Sequence, residues 1–209
     1  ATASIMKDVV SLQNADGGWS WCPKMESSLF MTRQALLHFG MMKRIGCLPA
    51  GHDKMISKAI DYCDKEVYDN YVKSERKFSS IDMLGYLYAR SFFDRRTRQK
   101  GFNELESKAL KSISQDWSKF SIFDKATAAI LLSRSKGYER VSGVILESLR
   151  QLASKDKAKG WWYDNLRSGY DGMPKLMTTA RVLQAYAEVE PKAPAVDAIR
   201  QWLVLQKET

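Results

Sequence analysis

The sequence predicts an all-α fold made of helical hairpins, and three observations carry that prediction. Apolar residues recur at helical spacing along the whole chain, while alternation of apolar and polar residues is nowhere sustained, so no convincing strand is expected. The helical segments alternate between two types, one apolar on nearly all faces and one apolar on a single stripe. Glycine and aromatic residues punctuate the helices twice in the same way, in Leu12-Gln13-Asn14-Ala15-Asp16-Gly17-Gly18-Trp19-Ser20-Trp21 and in Lys159-Gly160-Trp161-Trp162-Tyr163-Asp164. With 209 residues, 44% of them hydrophobic, the chain has enough apolar side chains for a sizeable core.

Nine helices are expected. The first runs from about Ser4 to Gln13 and stops where Asp16-Gly17-Gly18 makes further helix costly and positive φ accessible. The second starts at Ser27 or Ser28 as N-cap, carries Leu29, Phe30, Leu36, Leu37, Phe39, Met41 and Ile45, and ends at Gly46. After a loop over Cys47 to His52, Asp53 is expected to cap a third helix with Ile56, Ala59, Ile60, Cys63 and Val67 on one face. The fourth, Ile81 to Phe93, is apolar nearly all round, and the basic loop Arg95-Arg96-Thr97-Arg98-Gln99-Lys100 follows it.

Asn103 and Glu106 form a capping pair for an amphipathic fifth helix through Leu105, Ala109 and Ile113, toward Trp117. The sixth, Ile122 to Ser135, is rich in small and apolar residues and closes at Gly137; the seventh, Tyr138 to Ser154, is striped by Val141, Ile145, Leu149 and Leu152. Beyond the Trp161-Trp162 turn, an eighth runs from about Pro174 to Val189 and a ninth starts near Pro194, proline being favoured in a first turn.

A helix that is apolar all round must be surrounded, whereas a striped one lies outside. The even helices therefore form an inner layer and the odd ones an outer layer. Comparable inner positions, Thr32, Met83, Thr127 and Thr179, recur at intervals of about 45 to 50 residues, the period of a hairpin repeat. Stacked hairpins of this kind give an open solenoid or a closed toroid, here expected as one domain over residues 1–209.

Charge and cysteine content exclude more than they assign. The 33 Lys+Arg against 24 Asp+Glu leave a formal charge of +9, but the basic residues are dispersed and no nucleic-acid motif accompanies the cluster at Arg95 to Lys100, which reads as solvated surface. Cys22, Cys47 and Cys63 are too few for a disulfide scaffold and leave at least one thiol unpaired within the chain. The longest apolar run, Ala128 to Leu132, is far short of a bilayer span. The chain opens inside a helix and closes on Gln206-Lys207-Glu208-Thr209 without a cap, so it is expected to be a piece of a longer protein.

Leu12 to Trp21, followed by Phe30-Met31-Thr32 and Leu36-Leu37, resembles the segment downstream of the thioester in bacterial alpha-2-macroglobulin-like proteins. Trp161-Trp162-Tyr163, Thr178-Thr179-Ala180 and the stretch from Ile199 to Lys207, including Trp202, resemble later hairpins of the same domain. The resemblance implies an alpha/alpha toroid, incomplete in this fragment, from a large exported protein of the periplasm or cell envelope. Members of that family trap proteases: cleavage of a bait segment drives a rearrangement, and in many an internal thioester then captures the attacker. The thioester joins the Cys and Gln of a Cys-x-Glu-Gln motif, which none of Cys22, Cys47 and Cys63 begins. The partners implied are neighbouring domains of the same chain and target proteases, with no nucleic acid, membrane span or cofactor.

Gln13 followed by Asp16-Gly17-Gly18-Trp19 is also similar to the repeats of triterpene cyclases, which share the toroid architecture. Such enzymes need aspartate-rich motifs to start a carbocation, and neither Asp-x-Asp-Asp nor Asp-Asp-x-x-Asp occurs; Asp61 with Asp64 and Glu104 with Glu106 fall on polar helix faces. Prenyltransferase-like toroids use an Asp, Cys and His set on zinc, and His38, His52, Cys47 and Cys63 lack the paired spacing of such a site. No nucleophile elbow is present. Trp19, Trp21, Trp161 and Trp162 either wall a concave site for a sugar or an apolar chain, as in a glycan-binding toroid, or fill gaps between hairpins. With no catalytic, cofactor or metal residues assigned, the residues singled out are Gly17, Gly18, Trp19, Trp21, Thr32, Trp161, Trp162, Tyr163, Thr179 and Trp202, and the expected role is binding and conformational switching.

Overall fold

The computed structural model of the chain describes residues 2–74, 77–93, 101–164 and 174–207, with side chains from Ile5 onward. The protein is all-α: among the described residues there are nine α-helices and one small antiparallel hairpin. The helices are α1 (Thr2–Ser11), α2 (Leu29–Arg44), α3 (Asp53–Tyr68), α4 (Ser80–Arg90), α5 (Phe102–Asp116), α6 (Ile122–Ser133), α7 (Glu139–Leu152), α8 (Lys175–Val189) and α9 (Pro194–Leu205). A π-helical turn, Asp69–Lys73, extends α3, and a 3-10 turn, Trp117–Lys119, follows α5. The basic cluster Arg95 to Lys100 lies outside the described residues.

The chain divides into two compact units, residues 1–108 and 109–209. In the first, α2 packs on both α3 and α4. Its contacts with α4 and the turn after it are tight because glycines leave room: a Cβ on Gly85 would lie 2.9 Å from the Arg33 guanidinium, and one on Gly40 2.5 Å from Cβ of Phe92, just beyond α4. The opposite side of α4 meets α3 through Arg90, 3% exposed, whose Nε and Nη2 donate to Asp64 at 2.8 and 3.1 Å. Tyr86 donates to the same carboxylate at 2.5 Å, so Asp64 accepts three hydrogen bonds and the buried cation is matched by an anion.

In the second unit α6 packs on α7 and α8, and α8 on α9. Every residue from Ala126 to Leu132 is buried, as a surrounded helix requires. Ser142 of α7 donates to the Ala129 carbonyl at 2.7 Å, Tyr186 of α8 to the Leu146 carbonyl at 2.7 Å, and Arg134 pairs with Glu188 at 2.6 Å.

Several local expectations are corrected. Ser154–Asp156 (β1) and Gly160–Trp162 (β2) pair antiparallel where only a turn was expected, because Asp156 accepts the Ala158 and Lys159 amides at 2.8 Å and Gly160 takes φ +87°. Asp53 is not the cap of α3: His52 occupies that position without a side-chain bond, and Asp53 lies in the first turn, where its charge suits the helix dipole. Asn103 and Glu106 sit inside α5, which begins at Phe102 because that ring is buried 6.1 Å from Tyr86. The side-chain caps observed are serines. Ser28 accepts the Met31 amide, and Ser79 and Ser121 accept those of Asp82 and Asp124 while donating to their carboxylates at 2.6 Å.

Candidate functional site: an apolar groove beside a repeated glycine, aromatic and threonine arrangement

The polar run ahead of Trp19 folds into a turn that its own side chains hold. Asp16 accepts the Gly18 amide at 2.9 Å and the Ser27 hydroxyl at 2.7 Å. Asn14 donates its side-chain amide to the Met25 carbonyl and to Ser27 at 3.0 Å, and Gln13 bridges the carbonyls of Gly17 and of Met55 in α3 at 2.9 Å. Gly17, at φ +93°, sits so close to α3 that a Cβ would fall 2.4 Å from the Lys58 carbonyl. Only glycine satisfies both the backbone angle and the clearance. Gly18 is equally confined, with Ser27 Cβ 2.5 Å from where its own Cβ would be.

The turn delivers Trp19 into the core. Its amide donates to Thr32 Oγ1 at 2.9 Å, its indole Nε1 to the Val9 carbonyl at 3.0 Å, and its ring lies 5.9 Å from Phe39. Thr32, fully buried on α2, donates in turn to the Ser28 carbonyl at 2.8 Å.

The second unit repeats this construction. Gly160, also at positive φ, faces α9, where a Cβ would lie 2.2 Å from the Ala198 carbonyl. The Tyr163 amide donates to Thr179 Oγ1 of α8 at 3.1 Å, with both residues fully buried. Trp162 stacks on Trp202 of α9 at 6.3 Å and donates to Asp164 at 2.9 Å; Trp161 is half-buried under Lys155, whose Nζ is 4.3 Å from the ring centre. Asp164 also takes Lys175 at 2.5 Å, and that hydrogen bond holds its carboxyl below the usual range. In both units, therefore, a left-handed glycine rests on the second helix of a packed pair, α3 or α9, and an aromatic two or three residues further on gives its amide to a threonine of the first, α2 or α8.

Beside the first copy lies a groove of ≈450 Å³, with Val9 and Leu12 on one wall and Met31, Ala35 and His38 of α2 on the other. Trp19, Trp21 and Cys22 complete its lining. Trp21 is 62% exposed and stacks on Phe30 at 5.5 Å with the rings 6° apart, under an Arg33 guanidinium 5.3 Å from Phe30. His38 Nδ1 is 2.8 Å from the Gln34 carbonyl; a carbonyl only accepts, so Nδ1 carries the proton.

Of the ten residues singled out, Gly17, Gly18, Trp19, Thr32, Tyr163, Thr179 and Trp202 are buried, Trp161 and Trp162 are half-buried, and Trp21 is open to solvent. Cys22, Met31 and His38 were not expected as lining, although the spacing Met31, Ala35, His38 already marks one face of a helix. All three cysteines are free; Cys22 and Cys47 are exposed, whereas Cys63 is buried and its thiol is pushed up by desolvation and by Asp64. Among the described residues no group of three His, Cys, Asp or Glu could hold a metal ion, and no helix is long and apolar enough to cross a membrane. A further cavity of ≈570 Å³ in the first unit is lined by Tyr71, Phe78, Lys77, Glu104 and Lys108 among others. No family model and no curated protein matches the chain.

Proposed function

We propose that this chain is a helical toroid piece of an alpha-2-macroglobulin-like envelope protein, serving as a binding and conformational-switch module in the trapping of proteases. The observation that carries the reading is the repeated arrangement of left-handed glycine, aromatic amide and inner-helix threonine at Gly17, Trp19 and Thr32 and at Gly160, Tyr163 and Thr179. These are the segments on which the family resemblance rests. Two further features support it: each unit stacks helices in hairpins, and the first leaves an apolar groove open beside its Trp19 turn. An apolar groove on a hairpin stack suits docking against a neighbouring domain, and its release suits a rearrangement after bait cleavage.

The test uses the longest natural polypeptide that contains this chain. It is incubated with an endoprotease, and native-gel mobility is followed together with the enzyme's activity on a large protein substrate and on a small peptide. A trap becomes compact, and the enzyme loses the large substrate while keeping the small one. Unchanged mobility with both activities intact overturns the proposal. A parallel sample treated with methylamine shows, by adduct mass and one released thiol, whether capture is covalent.

A further inference from the structure

The second cavity of the first unit, ≈570 Å³, falls within the range of about 300–1,000 Å³ in which proteins hold small molecules. Three short pieces of chain build it. The π-helical turn Asp69–Lys73 brings Tyr71 and Val72, and hydrogen bonds tie the turn down: the Asp69 carbonyl accepts the Ser74 amide and hydroxyl at 3.1 and 2.7 Å, and Asn70 donates to the Glu66 carbonyl at 2.8 Å. Such π-helical turns recur at functional sites. The residues ahead of α4 bring Lys77 and Phe78, whose ring stands edge-on to Tyr71 with centres 6.1 Å apart and planes at 82°. The start of α5 supplies the rest of the lining from Gly101 on, where φ is +90° and an added Cβ would fall 3.0 Å from Val72 Cγ1.

The lining combines two chemistries. Tyr71, Phe78 and Leu105 offer rings and an apolar side chain, while Lys77 and Lys108 bring two ammonium groups from different elements and Glu104 one carboxylate. Glu104 and Lys108 stand four residues apart on α5 in the order that favours an ion pair, yet among the described residues no ion pair joins Glu104 to Lys108 or to Lys77. Their charged ends are left to a ligand. Two lysines against one glutamate leave a single net positive charge, which suits a monoanion; the carboxylate repels a polyanion and accepts a hydrogen bond from a donor. We infer that the cavity binds a small aromatic acid, whose ring packs against Tyr71 and Phe78, whose carboxylate takes Lys77 and Lys108, and whose ring hydroxyl or N–H donates to Glu104. This site does not depend on protease trapping, and either can fail without the other.

Para-hydroxyphenylacetate carries all three groups, and its binding to the 209-residue chain is followed by two-dimensional amide NMR. Saturable shifts are expected at the amides of Tyr71, Phe78 and Gly101, with a Kd of about 1 mM or tighter. Tyramine, which keeps the ring and hydroxyl but exchanges the acid for an amine, binds about tenfold or more weakly. Phenylacetate, which lacks the hydroxyl, binds more weakly than the hydroxylated acid, and E104A binds the two acids alike. Lys77 and Lys108 are exposed, so the double variant K77M/K108M keeps the fold, and it weakens para-hydroxyphenylacetate about tenfold or more. The site is overturned by the absence of saturable shifts up to about 10 mM, by shifts centred on Trp21 and His38, or by equal binding of tyramine. Full affinity in the lysine variant, or a preference for the hydroxyl kept in E104A, overturns it as well.

Discussion

Replacing Gly160 with alanine separates the two reasons for glycine in the β1–β2 hairpin. The residue sits at φ +87°, where an L side chain costs about 1–2 kcal/mol. Its Cβ would also stand 2.2 Å from the Ala198 carbonyl and 3.1 Å from the Trp202 amide, and both atoms belong to the backbone of α9. Backbone cannot rotate aside, so hairpin and helix must part, adding about 1–3 kcal/mol. The sum, about 2–5 kcal/mol, is a large fraction of the roughly 5–15 kcal/mol that holds a domain folded. Gly137 supplies the control within the same unit: its φ is +89°, yet an added Cβ meets nothing within 4 Å. The loss of unfolded-chain entropy on replacing glycine, worth about 0.4–1 kcal/mol, is common to both variants and cancels between them. Urea unfolding followed by tryptophan fluorescence should place G160A about 1–3 kcal/mol below G137A with an unchanged m-value. If the two variants agree within about 0.5 kcal/mol, the seating of Gly160 on α9 is not a tight contact and the reasoning fails.

The threonines give a second test. T32V and T179V each strand a buried amide, of Trp19 and Tyr163 respectively, and should destabilise by about 1–3 kcal/mol, while T32S and T179S keep the acceptor and lose less; valine variants as stable as the serine ones would refute the bonds. Tyr186, fully buried on α8, has its hydroxyl pushed up to about 12 by desolvation, against about 10 in the unfolded chain. Its stabilisation is intact below pH about 10 and is lost as pH rises toward 12, in total roughly 3 kcal/mol. Melts between about pH 9 and 11 should therefore show a shallower alkaline decline in Y186F; an unchanged slope would exclude Tyr186 as a contributor.

Much of this architecture is legible in side-chain pattern. Thr32, Met83, Thr127 and Thr179, picked out by their spacing as inner positions, are all buried, and the small-residue run of α6 is buried from Ala126 to Leu132. Helical burial is periodic, so a period in the sequence reports it directly. The glycines at 17, 18 and 160 are legible only as turn residues, since their close approach to Lys58, Ser27 and Ala198 depends on chain segments 9 to 41 positions away. The different fates of Trp19 and Trp21 are not legible at all. The chain bends at Trp21 and Cys22, where the Ser20 hydroxyl donates to the Cys22 carbonyl at 2.7 Å, and one indole lies inside while the other stays outside. The serine caps of α4 and α6 could have been read from Ser79 with Asp82 and Ser121 with Asp124, a spacing that carries its own mechanism. The groove required knowing that the Met31 face of α2 points away from α4, which follows from where Gly40 and Gly85 sit and from nothing in α2 alone.

The repeated arrangement also bears on how the chain reaches its fold. The amide bonds of the arrangement join residues near in sequence, Trp19 to Thr32 over 13 positions and Tyr163 to Thr179 over 16, whereas the bonds between helices in the second unit reach further, Tyr186 to Leu146 over 40 and Arg134 to Glu188 over 54. The two shorter bonds close within one turn and the helix after it, so little loop entropy stands in their way. Within each unit, then, local closure of such a bond offers a site from which structure can start.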